Sequence, residues 1–234
     1  MLGLGNTLSG GIVPAAAASS FTNTYSIAFG GTDEYVAMSS LAYDTGSWVM
    51  WVKYEGTATG NMILMNAGSQ YYLYATANAS GGNLGFLYPG RASLTSWPAP
   101  GGNAGVGDES WHQLAMTIAR PGDIGTTATV KVYLDGVLKD TQTGTRVFTN
   151  SADVLYFGRY SSSALYYTGN IDEIGWWSEH TLTDAEVTQL YNSGEPIDLQ
   201  TDSGNYSSSG NLTSYWRMGD GDTFATITDN EGSN

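Results

Sequence analysis

Residues 169–194, GNIDEIGWWSEHTLTDAEVTQLYNSG, constrain the fold more than any other stretch, because two periods meet there. Asp172, Ile174 and Trp176 alternate with Glu173, Gly175 and Trp177, which is the period of a strand. The second half carries both end signals of one short helix over 183–193. Thr183 and Glu186 stand at capping-box spacing, so each side chain satisfies the other residue's free backbone amide. Leu182 and Val187 occupy the two positions of a hydrophobic staple, and Val187, Leu190 and Tyr191 share a face. Gly194 stands where a left-handed residue closes a helix. One acid is out of place in the strand. Asp172 is in phase with Ile174 and Trp176, so it points into whichever face is the core. A buried carboxylate has to be hydrogen-bonded, paired or metal-bound.

The remaining chain reads as many short strands. Ile27 and Phe29 alternate before Gly30-Gly31, and Tyr35 to Met38 come next. Residues 47–54 put Trp48, Met50 and Val52 on one face and Val49, Trp51 and Lys53 on the other. Two largely apolar faces predict a strand covered on both sides. A meander is predicted at 62–65 and 70–76, and a short strand at Leu84–Tyr88. The stretch 78–108 is otherwise a long loop rich in Gly and Pro, of the kind that is functional or mobile. Residues 111–118 turn Leu114, Met116 and Ile118 inward. Val130, Val132 and Leu134 share a face, and Asp135-Gly136 supplies the positive-φ pair of a type I′ hairpin turn. A strand at 153–158 and another within 212–218 complete the set. With one late helix, the pattern predicts an all-β antiparallel sandwich.

Composition narrows the function classes. A net charge of −14 over 234 residues, with no basic residue before Lys53, repels phosphate backbones and anionic membranes. It predicts no nucleic-acid partner. No run is long enough for a transmembrane helix, which predicts no membrane insertion, and glycines break the apolar start of the chain where a signal peptide would need continuity. The chain has no cysteine and only two histidines, His112 and His180, neither in a triad motif, which leaves no thiol nucleophile. Glycan hydrolysis needs two carboxylates facing one sugar ring. Adjacent strand residues such as Asp172 and Glu173 face opposite ways, and no Glu-x-Asp-x-Glu strand is present. The expectation is a protein that is not an enzyme.

Five segments in order, 26–36 (SIAFGGTDEYV), 48–53 (WVMWVK), 111–115 (WHQLA), 132–137 (VYLDGV) and 169–174 (GNIDEI) with its capped helix, resemble the laminin-G-like and concanavalin A-like lectin/glucanase jelly rolls. The resemblance spans about residues 25–194 and implies two antiparallel sheets packed as a sandwich. It also implies a structural Ca2+ at the positions of Asp33, Glu34 and Asp172, although Gly30 stands where the family often has an acid or an amide. The alternative for Asp172 is a carboxylate that accepts backbone amides across the sheet. Residues 215–222 (YWRMGDGD) and 227–233 (ITDNEGS) resemble the linker and opening strand found after such domains in marine bacterial and phage proteins. Residues 1–6 resemble the start of phage virion proteins.

These likenesses divide the chain into an extended arm (1–24), a laminin-G-like sandwich (25–195), and a linker with an extra strand (196–234). They imply a non-catalytic virion structural protein on the outer surface, such as a capsid decoration, with other virion proteins and copies of itself as partners. The alternative is a secreted or cell-surface glycan-binding module, calcium-assisted and extracellular; the second alternative is a glycan hydrolase. Sugars stack on exposed aromatic rings, and the candidates for glycan or partner contact are Trp97 in the long loop, Tyr72, Tyr74 and Tyr88.

Overall fold

The computed structural model describes residues 21–38, 45–55, 60–67, 71–77, 83–87, 95–97, 106–119, 127–145, 154–160, 165–223 and 226–232. Two antiparallel sheets form a sandwich. One has the order β1 (Ile27–Gly30), β12 (Thr168–Ser178), β3 (Gly46–Tyr54), β8 (Trp111–Ala119), β9 (Thr127–Leu134), β10 (Val137–Thr145), with β13 (Ser214–Trp216) paired further along β12. The other has the order β2 (Val36–Met38), β11 (Leu155–Phe157), β4 (Gly60–Ala67), β5 (Tyr71–Ala77), β6 (Asn83–Leu87), β7 (Thr95–Trp97). The single α-helix among the described residues, α1, spans Asp184–Tyr191.

The apolar periods decide which faces meet. Trp48, Met50, Val52, Leu114, Met116, Ile118, Val130 and Val132 all point between the sheets, as their spacing requires. Trp48 stacks on Trp176 with ring centroids 4.4 Å apart, and Trp216 lies parallel beyond it. The outer face of the first sheet is also covered. Val49, Ala115, Tyr133 and Trp177 pack under Leu182, Val187 and Leu190 of the helix region. This explains why β3 is apolar on both sides. Trp176 and Trp177 each serve one of these two cores.

The capping box forms as its spacing demands. Thr183 Oγ1 accepts from the Glu186 amide at 3.2 Å, and Glu186 Oε2 accepts from the Thr183 amide at 2.9 Å. The helix end departs from expectation. Asn192 (φ 46°) and Ser193 (φ 60°) already adopt left-handed backbone, so the turn starts two residues before Gly194. Asn enters that region at small cost because its short polar side chain bonds locally, here to the Glu195 carbonyl at 3.2 Å. Asp135 (φ 54°) and Gly136 (φ 71°) form the expected hairpin turn between β9 and β10.

The segment after the helix belongs to the same body. Leu199, Tyr206, Leu212 and Tyr215 complete the outer core, while Trp216 and Met218 enter the inner one. Trp177 Nε1 donates to the Ser208 carbonyl at 3.0 Å, and Tyr206 Oη donates to the Leu199 carbonyl at 2.7 Å. No helix among the described residues is long and apolar enough to cross a membrane.

Candidate functional site

The site begins with an irregularity in β12. Asp172 pairs with Trp51, but the next pair is Gly175 with Val49, so one extra residue has entered the strand. Glu173 takes up the excess with a left-handed backbone (φ 48°). Such a bulge breaks the period of two. Ile171, Ile174 and Trp176 all face the inner core, and Asp172 therefore lies on the Trp51 side, the outer face. The expectation that Asp172 points inward with Ile174 and Trp176 is corrected, and so is the expectation that Asp172 and Glu173 face opposite ways. Glu173 meets Tyr215 of the outer core and Arg217. Both acids remain buried.

These acids hold the segment that precedes β1. Asp172 Oδ2 accepts from Asn23 Nδ2 at 2.9 Å, and Oδ1 accepts from the Glu173 amide at 2.9 Å. Asp220 Oδ2 accepts from the amides of Thr24 and Tyr25 at 2.8 and 3.1 Å. Arg217 donates to Glu173 Oε1 at 3.3 Å and to the Thr22 carbonyl, and its guanidinium covers the Phe21 ring at 4.6 Å. Residues 21–25 are thus strapped across the outer face by carboxylates and one arginine. Burial drives the Asp172 carboxyl up to about 8, and the Glu173 charge beside it adds to the rise. Burial likewise carries Glu173 to about 7, against the pull of Tyr215 and Arg217.

The strap forms one wall of a cleft with a cavity volume of about 400 Å³. Trp111, the first residue of β8, and Gly194–Pro196 after the helix form the others; Trp51 and Asp172 line it from the sheet. This volume lies within the roughly 300–1,000 Å³ of ordinary small-ligand sites. Two aromatic rings stand open at the cleft, Tyr25 at 64% and Trp111 at 39% exposure. Trp51 is buried and stacks on Tyr191 of the helix. The start of β8 is pinned by His112, whose Nδ1 lies 2.8 Å from Asp135 Oδ2 and whose Nε2 lies 3.0 Å from Asp108 Oδ1. Open aromatic faces beside carboxylate and amide groups can stack a sugar ring and bond its hydroxyls.

A second cavity of about 720 Å³ opens between the edge strands β1 and β2. Its walls include Phe29, Met38 and Trp216, side chains of the inter-sheet core, so it reads as an open seam of the sandwich.

The sequence-predicted residues fare unevenly. Glu34 bonds back to its own turn, accepting from the amides of Thr32 and Asp33 at 3.3 Å. That turn comes after Gly30, which pairs with Thr168, whereas Asp172 lies beyond the Ile27–Ile171 pair at the other end of β1. Four residues of strand, about 13 Å, separate the two ends. The set Asp33, Glu34 and Asp172 is therefore not brought together, and these residues do not fit a shared Ca2+. Among the described residues no group of three or more His, Asp or Glu could hold a metal ion. Trp97 belongs to the short edge strand β7 rather than to a loop; Pro98, which lacks an amide to donate, comes directly after its last residue. Tyr72 and Tyr74 lie in β5, and the side chains of all three fall outside the described part of the structure, as does Tyr88 altogether. Trp111 stands out in the sequence only as part of a motif. Its phase is a usable signal, since Leu114, Met116 and Ile118 face inward and residue 111 must then face out.

A family model described as the concanavalin A-like lectin/glucanases superfamily matches residues 29–188. No curated protein matches the sequence. Among solved structures, a Bacteroides ovatus protein provisionally described as carbohydrate binding has a TM-score of 0.57 at 13% identity, covering 88% of this chain and 55% of that one. The sialidase of Trypanosoma rangeli, solved with the inhibitor DANA, has a TM-score of 0.52 at 16% identity, covering 71% and 27%. Domain 4 of an extracellular arabinanase from Geobacillus stearothermophilus, in complex with arabinotriose, has a TM-score of 0.46 at 23% identity, covering 64% and 68%. The chain thus spans about half of the Bacteroides protein and about a quarter of the sialidase. At these identities the likeness concerns the fold.

Proposed function

The chain belongs to the concanavalin A-like lectin/glucanase superfamily, and from that premise we propose that it is a non-catalytic carbohydrate-binding module whose ligand occupies the cleft between residues 21–26 and Trp111. The observation that carries this reading is the pair of open rings, Tyr25 and Trp111, beside Asn23 and Asp172 in one cavity. The likeness to the Bacteroides protein, described as carbohydrate binding, supports the same ligand class.

The absence of catalysis in this proposal rests on how the cleft's acids are held. Glycan hydrolysis needs two positioned carboxyls, one of them free to protonate the leaving oxygen. Asp172 is 4% exposed, and both of its oxygens are engaged by Asn23 and the Glu173 amide. Glu173 is tied to Tyr215 and Arg217 and does not line the cleft. Glu195 does line it, but no hydrogen bond among the described residues fixes its carboxylate.

Replacing Trp111 by Ala removes one stacking face from an exposed position, so folding is retained. Affinity for bound oligosaccharide is expected to fall about tenfold, the value of one aromatic contact. Glycan-array binding and then titration of both proteins measures this, with product release assayed in parallel. Unchanged affinity in Trp111→Ala, or sugar release by the wild type, overturns the reading.

A place on a virion surface is a finer role that this site leaves open. It asks for termini docked on neighbouring subunits. Leu199, Tyr206, Leu212, Tyr215, Trp216 and Met218 pack instead on their own sandwich. Support for the virion role therefore comes from the terminal resemblances alone, and native mass of the full chain tests it through self-assembly.

A further inference from the structure

The polar groups of the cleft are unequally supplied with donors and acceptors. Asn23 uses its Nδ2 on Asp172, while its Oδ1 is buried with no hydrogen-bond partner among the described residues. Asp172 and Glu195 add two acid groups, and among the described residues no Lys, Arg or His lines the cavity. Arg217, which holds the strap, is turned toward Glu173, Asp220 and the Thr22 carbonyl. The aromatic faces of Tyr25, Trp51 and Trp111 have the negative quadrupole that attracts cations. A ligand that brings positively charged donors satisfies all of these groups together; a neutral one satisfies some, and an anionic one meets repulsion.

We infer that the cleft selects sugars bearing a free amine, with the ammonium held between the Trp111 and Tyr25 rings and the carboxylates of Asp172 and Glu195. This deepens the carbohydrate-binding reading and rests on it. Asp172 acts as the buried counter-charge at the cleft floor: each carboxylate oxygen has a second lone pair beyond those used by Asn23 and the Glu173 amide. The groups facing Asp172 are Asn23, Glu173 and Asp220, with Arg217 behind the latter two and Glu195 at the rim. Burial holds the Asp172 proton until about pH 8. Arrival of an ammonium favours the ionised form, so binding in mild acid, where the sugar amine is already charged and Asp172 still holds its proton, releases close to one proton.

The test is calorimetric titration of the full chain in mild acid, at about pH 6, with the β-1,4-linked trimers of glucosamine, N-acetylglucosamine and glucose, a galacturonic acid trimer, and n-propylammonium. Each is run in two buffers of different ionisation enthalpy. The glucosamine trimer is expected to bind about tenfold more tightly than the glucose trimer, the value of one charge-assisted contact. Acetylation of the amine is expected to remove that preference, and the uronic acid trimer to bind most weakly. Asp172→Asn is expected to remain folded, to shrink the amine preference to about twofold, and to abolish proton release. Equal binding of the glucosamine and glucose trimers overturns the amine inference and leaves the sugar reading standing. Binding of n-propylammonium with none of the trimers overturns the sugar reading and with it the inference as stated. Binding of nothing overturns both.

Discussion

Ending the chain after Glu195, at the boundary that the sequence resemblance suggests, is expected to abolish cooperative folding. Leu199, Tyr206, Leu212 and Tyr215 are four of the eleven buried side chains of the outer core among the described residues, and Trp216 and Met218 enter the inner one. Burial of each such side chain contributes about 1.5–3 kcal/mol. Even four of them match the roughly 5–15 kcal/mol by which a domain of this kind is stable. The truncation also strips Ser208 from Glu186, unmakes the Trp177 bond to the Ser208 carbonyl, and leaves Glu173 buried without Tyr215 or Arg217. Near-ultraviolet dichroism and thermal melting of residues 1–195 and of the full chain make the comparison. A truncated chain that melts cooperatively near the full-length midpoint would show that residues 196–232 are an appendage.

The second large effect is a loss of stability between mild acid and about pH 8 that traces mainly to one carboxyl. Folding moves Asp172 from its ordinary 3.8 up to about 8, and Glu173 from 4.5 up to about 7. Between those values the native state holds a proton that the unfolded chain has lost. Stability therefore falls as pH rises from about 4 to 8, and the deficit is complete above 8. Ionising Asp172 in place costs on the order of 5 kcal/mol, since each pKa unit corresponds to about 1.4 kcal/mol. The raised His112 acts in the same direction, because its two carboxylate contacts help only while the ring is protonated. Asp184 and Glu186, both held below their ordinary values, act oppositely and lose their contribution in acid. Melting temperature is thus expected to peak in mild acid, to fall through neutrality and to level off above about pH 8. Asp172→Asn removes the charge and can give Asn23 Oδ1 the donor it lacks, so it is expected to raise the melting temperature above pH 8 and to flatten the profile. A wild-type profile that stays level from mild acid to pH 9, or a mutant that tracks the wild type, contradicts this.

How much of the fold is legible in the sequence depends on how local the cause is. The capping box, the Asp135-Gly136 turn and the doubly apolar β3 are each written in a few neighbouring residues, and each forms as read. Asp172 is misplaced by phase counting, which assumes an unbroken strand. Glutamate has no particular taste for left-handed backbone, so nothing local announces the bulge at Glu173. The cleft is legible only in part for a similar reason. Its rings come from residues 25, 51 and 111, joined by the pairing of β3 with β8 and by a strap that Asp172 and Asp220 hold in place. Trp97 draws attention because its neighbourhood is rich in Gly and Pro, yet three residues of it are strand. The calcium set fails on distance along β1, which composition does not report.

The proposed ligand lies on the outer face of the first sheet, at Trp111 and Trp51, and away from β5 and β7. Indole Nε1–H resonances of the seven tryptophans test this directly when the full chain is titrated with the best-binding oligosaccharide. The predicted result is a shift of the Trp111 resonance, with a smaller one at Trp51, while Trp48, Trp176 and Trp216 in the inner core stay fixed. A shift confined to Trp97, or saturating binding that moves neither Trp111 nor Trp51, would contradict the assignment of the cleft.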